Sequence, residues 1–329
     1  MTLLAPLLAL TFAVAGEESA TFANPVAMRG ADPWVVYDGG RYHYCFSRRN
    51  SVWVASDDDL LGVFSAQPVL AWRPDRGHAW SRDVWAPELH RLGDAWYIYV
   101  AADDGQNENH RMQVLQRKDA NPAGTFQRMG ELHLPEDKWA IDGTVLQHNG
   151  RLYYVWSGWP DDVNVTQRLY ICAMSDPATP FGPRVEISRP NHDWEKIGNP
   201  TVNEGPEALT HEGRTFVVYS ASGSWGDHYC LGMLELVGDD PLQGDAWQKR
   251  PQPVFAGTPQ VISPGHASFT TAGDRHWIVY HVARHAGAGW DRLVHMQPFE
   301  FDAGGRPVFG QPQPPGTPIE RPQPSEGDR

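Results

Sequence analysis

The stretch IDGTVLQHNGRLYYVW, residues 141–156, places a carboxylate ahead of an apolar run, breaks at Asn149-Gly150 and resumes as an aromatic-rich run. Asn-Gly between two such runs signals a tight hairpin, because both residues tolerate the positive φ that the turn demands. Working outward, the same design recurs as ADPWVVYDGGRYHYCF from Ala31, WAPELHRLGDAWYIYV from Trp85, NEGPEALTHEGRTFVVYS from Asn203 and GHASFTTAGDRHWIVY from Gly265. The copies are spaced by roughly 50 residues or more, the period of stacked antiparallel sheets arranged around an axis. Gly39-Gly40, Gly93-Asp94 and Gly273-Asp274 supply the other turn signals.

One position changes in every copy. Aligning the turns brings Asp32, Trp85, Asp142, Glu204 (with one extra residue in its copy) and His266 into equivalence. A purely structural turn residue could recur in every copy, so a position that varies is expected to face the axis, where three carboxylates, a Trp and a His would converge. After each hairpin a third strand-like run follows, such as SVWVAS from Ser51 or RLYICAM from Arg168. Few segments sustain a helical period, so helix is expected to be minor.

Composition is consistent with one large all-β domain: 329 residues, 41% of them apolar, can bury a sizeable core. A net charge of −13 argues against nucleic acid or an anionic membrane as partner, since both require a basic footprint, and a neutral substrate fits better. The 14 Trp, 11 Tyr and 12 Phe suit both packed sheets and the apolar faces of sugars. Met1 to Ala15 is an apolar run closed by Ala13-Val14-Ala15, which resembles a secretory signal, although no Lys or Arg precedes it; it predicts a secreted or periplasmic protein. The organisation expected is a signal over 1–15, one domain over 16–309 and an extended or disordered Pro-rich tail over 310–329. Cys45, Cys172 and Cys230 lie far apart in apolar runs and read as buried free thiols. No HExxH, P-loop or GxSxG pattern occurs, which leaves zinc-protease, nucleotide and α/β-hydrolase readings without support.

An Asp in ADP, an Asp in IDGT, a Glu in EGP and a His in PGHASF, in that order on a matching repeat, resemble glycoside hydrolase family 43 over nearly the whole chain. Trp85-Ala86-Pro87-Glu88 and Arg292 in DRLVHMQ add to the match, and the runs VNEGPEAL, LGML and ISRP are most similar to the exo-acting α-1,5-L-arabinofuranosidases. The resemblance implies a five-bladed β-propeller and an inverting glycosidase acting on arabinan or arabino-oligosaccharides as a monomer. β-Xylosidase and endo-arabinanase activities, and a non-catalytic sugar-binding propeller, stand as alternatives.

Residue by residue, the resemblance implies that Asp32 is the general base, Glu204 the general acid, and Asp142 the carboxylate that orients Glu204 and raises its pKa. Inversion needs an acid at the leaving oxygen and a base across the ring, with room for a water. His266 is implied to hold an axial cation, usually calcium, largely through waters; one imidazole is a poor calcium ligand, because that ion prefers oxygen. Trp85 either lines the sugar pocket or packs in the core. Arg292 either donates to sugar hydroxyls, holds Asp32 ionised, or is a solvated strand charge. Glu207, three residues beyond Glu204, is a rival acid that strand alternation would turn to the opposite face.

Overall fold

Each repeat folds into one four-stranded antiparallel sheet, and five such sheets form a propeller. The structure, a computed structural model, describes residues 20–323, so the 1–15 signal expectation lies outside the described residues. Blade 1 comprises Trp34–Asp38, Arg41–Ser47, Val52–Asp57 and Val69–Trp72; blade 2 comprises Arg82–Leu92, Ala95–Asp103, Arg111–Arg117 and Gln127–Glu131. Blade 3 runs through Ala140–His148, Arg151–Gly158, Arg168–Asp176 and Thr179–Ser188; blade 4 through Asn203–His211, Arg214–Ala221, Cys230–Leu236 and Trp247–Lys249; blade 5 through Ile262–Ala272, Arg275–Ala283, Arg292–Phe301 and Pro307–Val308. Among the described residues helix is confined to single 3₁₀ turns such as Gly62–Phe64. The first strands of successive blades contact one another and surround the axis.

The fourth strands were not read from the sequence. They are short or interrupted by Pro and Gly, as in TPFGPRVEIS of blade 3, and carry little apolar alternation. Their outer position explains this, because an edge facing solvent needs no apolar side chains and is safer polar.

Inner strands read as continuous apolar runs because both faces are covered. In Ala95–Asp103 of blade 2, Trp96, Ile98, Val100 and Ala102 pack toward blade 1, while Tyr97, Tyr99 and Ala101 pack toward blade 3. The same division operates round the ring, so the cores lie between neighbouring blades. Cys45, Cys172 and Cys230 are buried free thiols within these layers.

The ring closes on blade 5. Val26 N–H donates to Val294 O at 2.9 Å, Val294 N–H donates to Ala27 O at 3.0 Å, and the Asn24 side chain makes two hydrogen bonds to the Met296 backbone. Residues 24–27 therefore extend the outer edge of the strand Arg292–Phe301. Beyond the last blade the described chain, as far as residue 323, is extended but not loose: Gln297 holds Phe309 and Gln311 carbonyls, and Ile319–Glu320 pairs with Thr21–Phe22.

At the head of each first strand one residue adopts left-handed φ: Asp32 (49°), Ala86 (43°), Asp142 (52°), Gly205 (53°) and His266 (47°). Each stands seven positions before its two-residue turn. The structural register therefore corrects the sequence alignment at two copies. Ala86 and Gly205, not Trp85 and Glu204, are the equivalents of Asp32; Trp85 and Glu204 stand one residue earlier.

Close approach governs the next position in blade 3. A Cβ on Gly143 would stand 2.1 Å from the Tyr154 hydroxyl, whose ring is fully buried. Gly143→Ala is expected to cost roughly 1–3 kcal/mol, the range for overpacking a filled interior. Urea unfolding followed by tryptophan fluorescence checks this; an unchanged midpoint would contradict the contact.

Candidate active site

The inversions at Asp32, Asp142 and Gly205 turn three carboxyl groups toward one end of the axis. Left-handed φ in a non-glycine residue costs on the order of 1–3 kcal/mol and survives where surrounding bonds hold it. Asp32 is held on both sides: its N–H donates to His281 Nδ1 at 3.1 Å, and its Oδ1 lies 3.1 Å from His266 Nδ1 and 3.3 Å from Arg292 Nη1. Arg292 is 8% exposed and its Nη2 donates to Ser224 O at 3.1 Å, so it is a buried partner of Asp32, and the reading as a solvated strand charge is wrong.

Burial opposes ionisation of Asp32, yet His266, His281 and Arg292 outweigh it and hold the carboxyl well below the usual carboxylate range. His281 itself is buried to 1% exposure and desolvation holds its pKa to about 3. A neutral ring accepting the Asp32 N–H makes no ion pair with the Asp32 carboxylate, so Arg292 is the permanent charge that keeps Asp32 ionised.

Glu204 meets the opposite treatment. It is 7% exposed, and burial raises its pKa to about 7 against donors that favour the charged form, the Tyr229 hydroxyl at 2.8 Å from Oε1 and the Ser224 side chain. Asp142 is buried beside it and accepts the Gly205 N–H on Oδ2 at 3.1 Å, which ties it to the residue after Glu204. Burial, then the charges of Glu204 and Asp32, push the Asp142 carboxyl well above its usual value. Burial is the largest cause at both groups, and the charge of Asp32 raises Glu204 as well. Gly205 is needed twice over, for its φ and because a Cβ there would stand 3.1 Å from the His266 ring.

Two expectations at neighbouring positions are corrected. Glu204 pairs with Ser220 and Glu207 with Val218, two residues apart on the partner strand, so the bulge at Gly205 puts both glutamates on one face. Simple alternation failed because it ignored that extra residue. Glu207 nevertheless lies deeper: burial, and then the charge of Glu207, raises the pKa of Glu88, the residue at the same position in blade 2. Trp85 is 38% exposed, so core packing is excluded; it stacks on buried His110 with ring centroids 4.0 Å apart. It occupies in blade 2 the position of Glu204 in blade 4, and so points to the same mouth.

His281, Tyr229 and Ser224 were missed by sequence reasoning. They come from the second strand of blade 5 and from the loop between the second and third strands of blade 4, where no repeat register marks them; only their partners in space do. The donor set also tests the calcium expectation. His266 Nδ1 faces Asp32, which leaves one ring nitrogen, and among the described residues no group of three or more His, Cys, Asp or Glu could hold a metal. The protein could supply a single ligand, and no chemical step is routed through an ion.

Two carboxyl groups driven apart in pKa at the axis of a propeller define a glycoside hydrolase centre. Residues 22–307 match the family described as glycosyl hydrolases family 43, and the chain belongs to it. It is 32% identical over 281 residues to an extracellular exo-α-(1→5)-L-arabinofuranosidase of Streptomyces chartreusis, covering 82% of this chain and 85% of that one. An α-L-arabinofuranosidase of Humicola insolens is 33% identical over 91% of this chain, which spans 65% of that protein. The crystal structure of an α-L-arabinofuranosidase from Lactobacillus brevis superposes with a TM-score of 0.84 at 31% identity, covering 90% of this chain and 98% of that one. The chain is thus a glycoside hydrolase, and the reading as a non-catalytic sugar-binding propeller falls away.

As the expected general acid, Glu204 can act only while protonated, and with burial raising its pKa to about 7, activity is expected to fall as pH rises through that value. Tyr229→Phe removes a donor that stabilises the Glu204 carboxylate, so the pKa rises and the basic limb moves to higher pH, by roughly one unit. A kcat/KM profile against pH on an aryl arabinofuranoside tests both; a limb that stays put or moves down contradicts the assignment.

Proposed function

We propose that the protein is an inverting, exo-acting α-L-arabinofuranosidase that releases terminal arabinofuranose from 1,5-linked arabinan and arabino-oligosaccharides. The observation that carries this reading is the opposed pair: Asp32 in contact with Arg292 and His266 and held ionised, and Glu204 buried against the Tyr229 hydroxyl and held protonated up to about pH 7. Glu204 gives its proton to the departing glycosidic oxygen as the bond from C1 breaks. Asp32 takes a proton from a water whose oxygen attacks C1 from the opposite face, so one substitution inverts the anomeric centre. Asp142 fixes the backbone that bears Glu204 through Gly205. Trp85 offers an exposed aromatic face to the sugar. The names of the relatives support the arabinofuranosyl substrate. The extracellular description of the Streptomyces protein, with the apolar run Met1 to Ala15, supports export to where plant arabinan is met. A cation near His266 rests on the family resemblance.

Debranched arabinan and aryl glycosides test the substrate. Free arabinose and hydrolysis of the aryl α-L-arabinofuranoside are expected; faster hydrolysis of an aryl β-D-xyloside, or an early collapse of arabinan viscosity, would overturn the reading. NMR of the first product should show inverted configuration.

The two catalytic carboxylates separate by leaving group. Dinitrophenolate departs without a proton, whereas a sugar alkoxide needs one. Glu204→Ala should therefore lose far more kcat/KM on arabino-oligosaccharide than on dinitrophenyl arabinofuranoside, while Asp32→Ala should lose on the order of several kcal/mol of transition-state stabilisation on both. Equal losses for Glu204→Ala remove it as the acid, and selective loss in Glu207→Ala transfers the role there.

A further inference from the structure

Trp290 is 69% exposed, in a protein whose other large rings are mostly packed between blades. Its segment is nevertheless fixed. Arg284 N–H donates to Asp291 O at 3.0 Å, Asp291 N–H donates to Ala288 O at 3.2 Å, and Arg284 Nε pairs with Asp291 Oδ2 at 2.9 Å. A further bond runs from Gly287 N–H to Asp227 Oδ1 at 2.8 Å, pinning this loop of blade 5 to the blade 4 loop that contains Ser224. The indole Nε1 donates to Ser224 Oγ at 3.4 Å. The Ser224 side chain is among the groups that favour the charged Glu204 carboxyl, and the Ser224 carbonyl accepts from Arg292 Nη2 at 3.1 Å. Trp290 therefore stands one residue from the group that protonates the leaving oxygen, with its ring face in solvent and its edge anchored.

A single exposed apolar side chain is ordinary, but this indole is anchored by its edge on a loop beside the site, which leaves a flat amphipathic face free for a ligand. Position identifies what that is. In a single displacement the acid stands beside the departing group and the base beside the cleaved sugar, so an aromatic face on the Glu204 side meets the part of the substrate that leaves. That part is neutral, and a furanose ring presents C–H groups to an aromatic plane.

We propose that Trp290 is the platform for the leaving arabinofuranosyl residue, the specificity-determining contact that favours an oligosaccharide over a substrate with a small leaving group. The proposal rests on the arabinofuranosidase reading above. In 1,5-arabinobiose the second ring stacks on the indole before cleavage and leaves from it afterwards. α-L-Arabinofuranosyl fluoride, whose leaving group is a single atom, reaches no such platform.

Steady-state kinetics of wild type, Trp290→Ala and Trp290→Phe on these two substrates test it. Trp290→Ala should lose kcat/KM on arabinobiose by roughly tenfold more than on the fluoride, the factor that about 1.4 kcal/mol of lost contact gives, and the excess should lie mainly in KM. Trp290→Phe, which keeps an aromatic face, should recover most of that difference. Equal losses on both substrates, or no excess on arabinobiose, overturn the proposal while leaving the enzyme an arabinofuranosidase. Wild type inactive on both substrates overturns the arabinofuranosidase reading, and this proposal with it.

Discussion

The backbone inversion repeated at Asp32, Ala86, Asp142, Gly205 and His266 is the constraint on which the site depends. A strand that simply alternated would show the axis one side chain in two along each blade. The left-handed residue inserts an extra position, swings the chain, and lets two successive side chains aim at the mouth of the propeller. Blade 4 uses this to place Glu204 outside a glycine, while blades 1, 3 and 5 put the functional side chain on the inverted residue itself. Three of these inversions are secured by a bond from the neighbouring blade or strand: Ser220 Oγ accepts the His266 N–H at 2.8 Å, Asp142 the Gly205 N–H, His281 the Asp32 N–H. Strain at one blade is thus held by its neighbour.

From that common device come two acids with opposite behaviour. Desolvation is the largest influence on both, and it pushes both toward the neutral form. What separates them is the company they keep: Asp32 is in contact with the Arg292 guanidinium, whereas Glu204 is bonded to a phenol and feels Arg292 only through its field, which together do not offset its burial. Asp142, buried with one backbone donor and two carboxylate neighbours, is pushed well above its usual value as well.

Much of this was readable in the sequence. The turns Gly39-Gly40, Gly93-Asp94, Asn149-Gly150 and Gly273-Asp274 are two-residue hairpins as expected, and the repeat they mark gives the five blades. Asp32, Asp142, Glu204 and His266 meet, because a variable residue in a constant frame is a signal that periodicity can carry, and Arg292, which the family resemblance marked, meets Asp32. Illegible were matters of one residue or of distant space. The bulge at Gly205 hid the true register of Glu204 and the shared face of Glu207, and nothing local marks Tyr229, Ser224 or His281, which matter only through partners 25 to 249 positions away. The outer strands escaped because they face water and so lack an apolar code.

The seam at blade 5 sets an order on the life of the chain. Asn24 is bonded to Met296 across 272 positions, and Asp32 depends on Arg292 across 260. During translation the acid and its orienting partner on blades 3 and 4 can be assembled while the base still lacks its guanidinium, and the first-made segment waits for the last blade. A nascent or C-terminally truncated chain therefore holds half of a reaction centre, and hydrolytic competence arrives only with the closing of the circle.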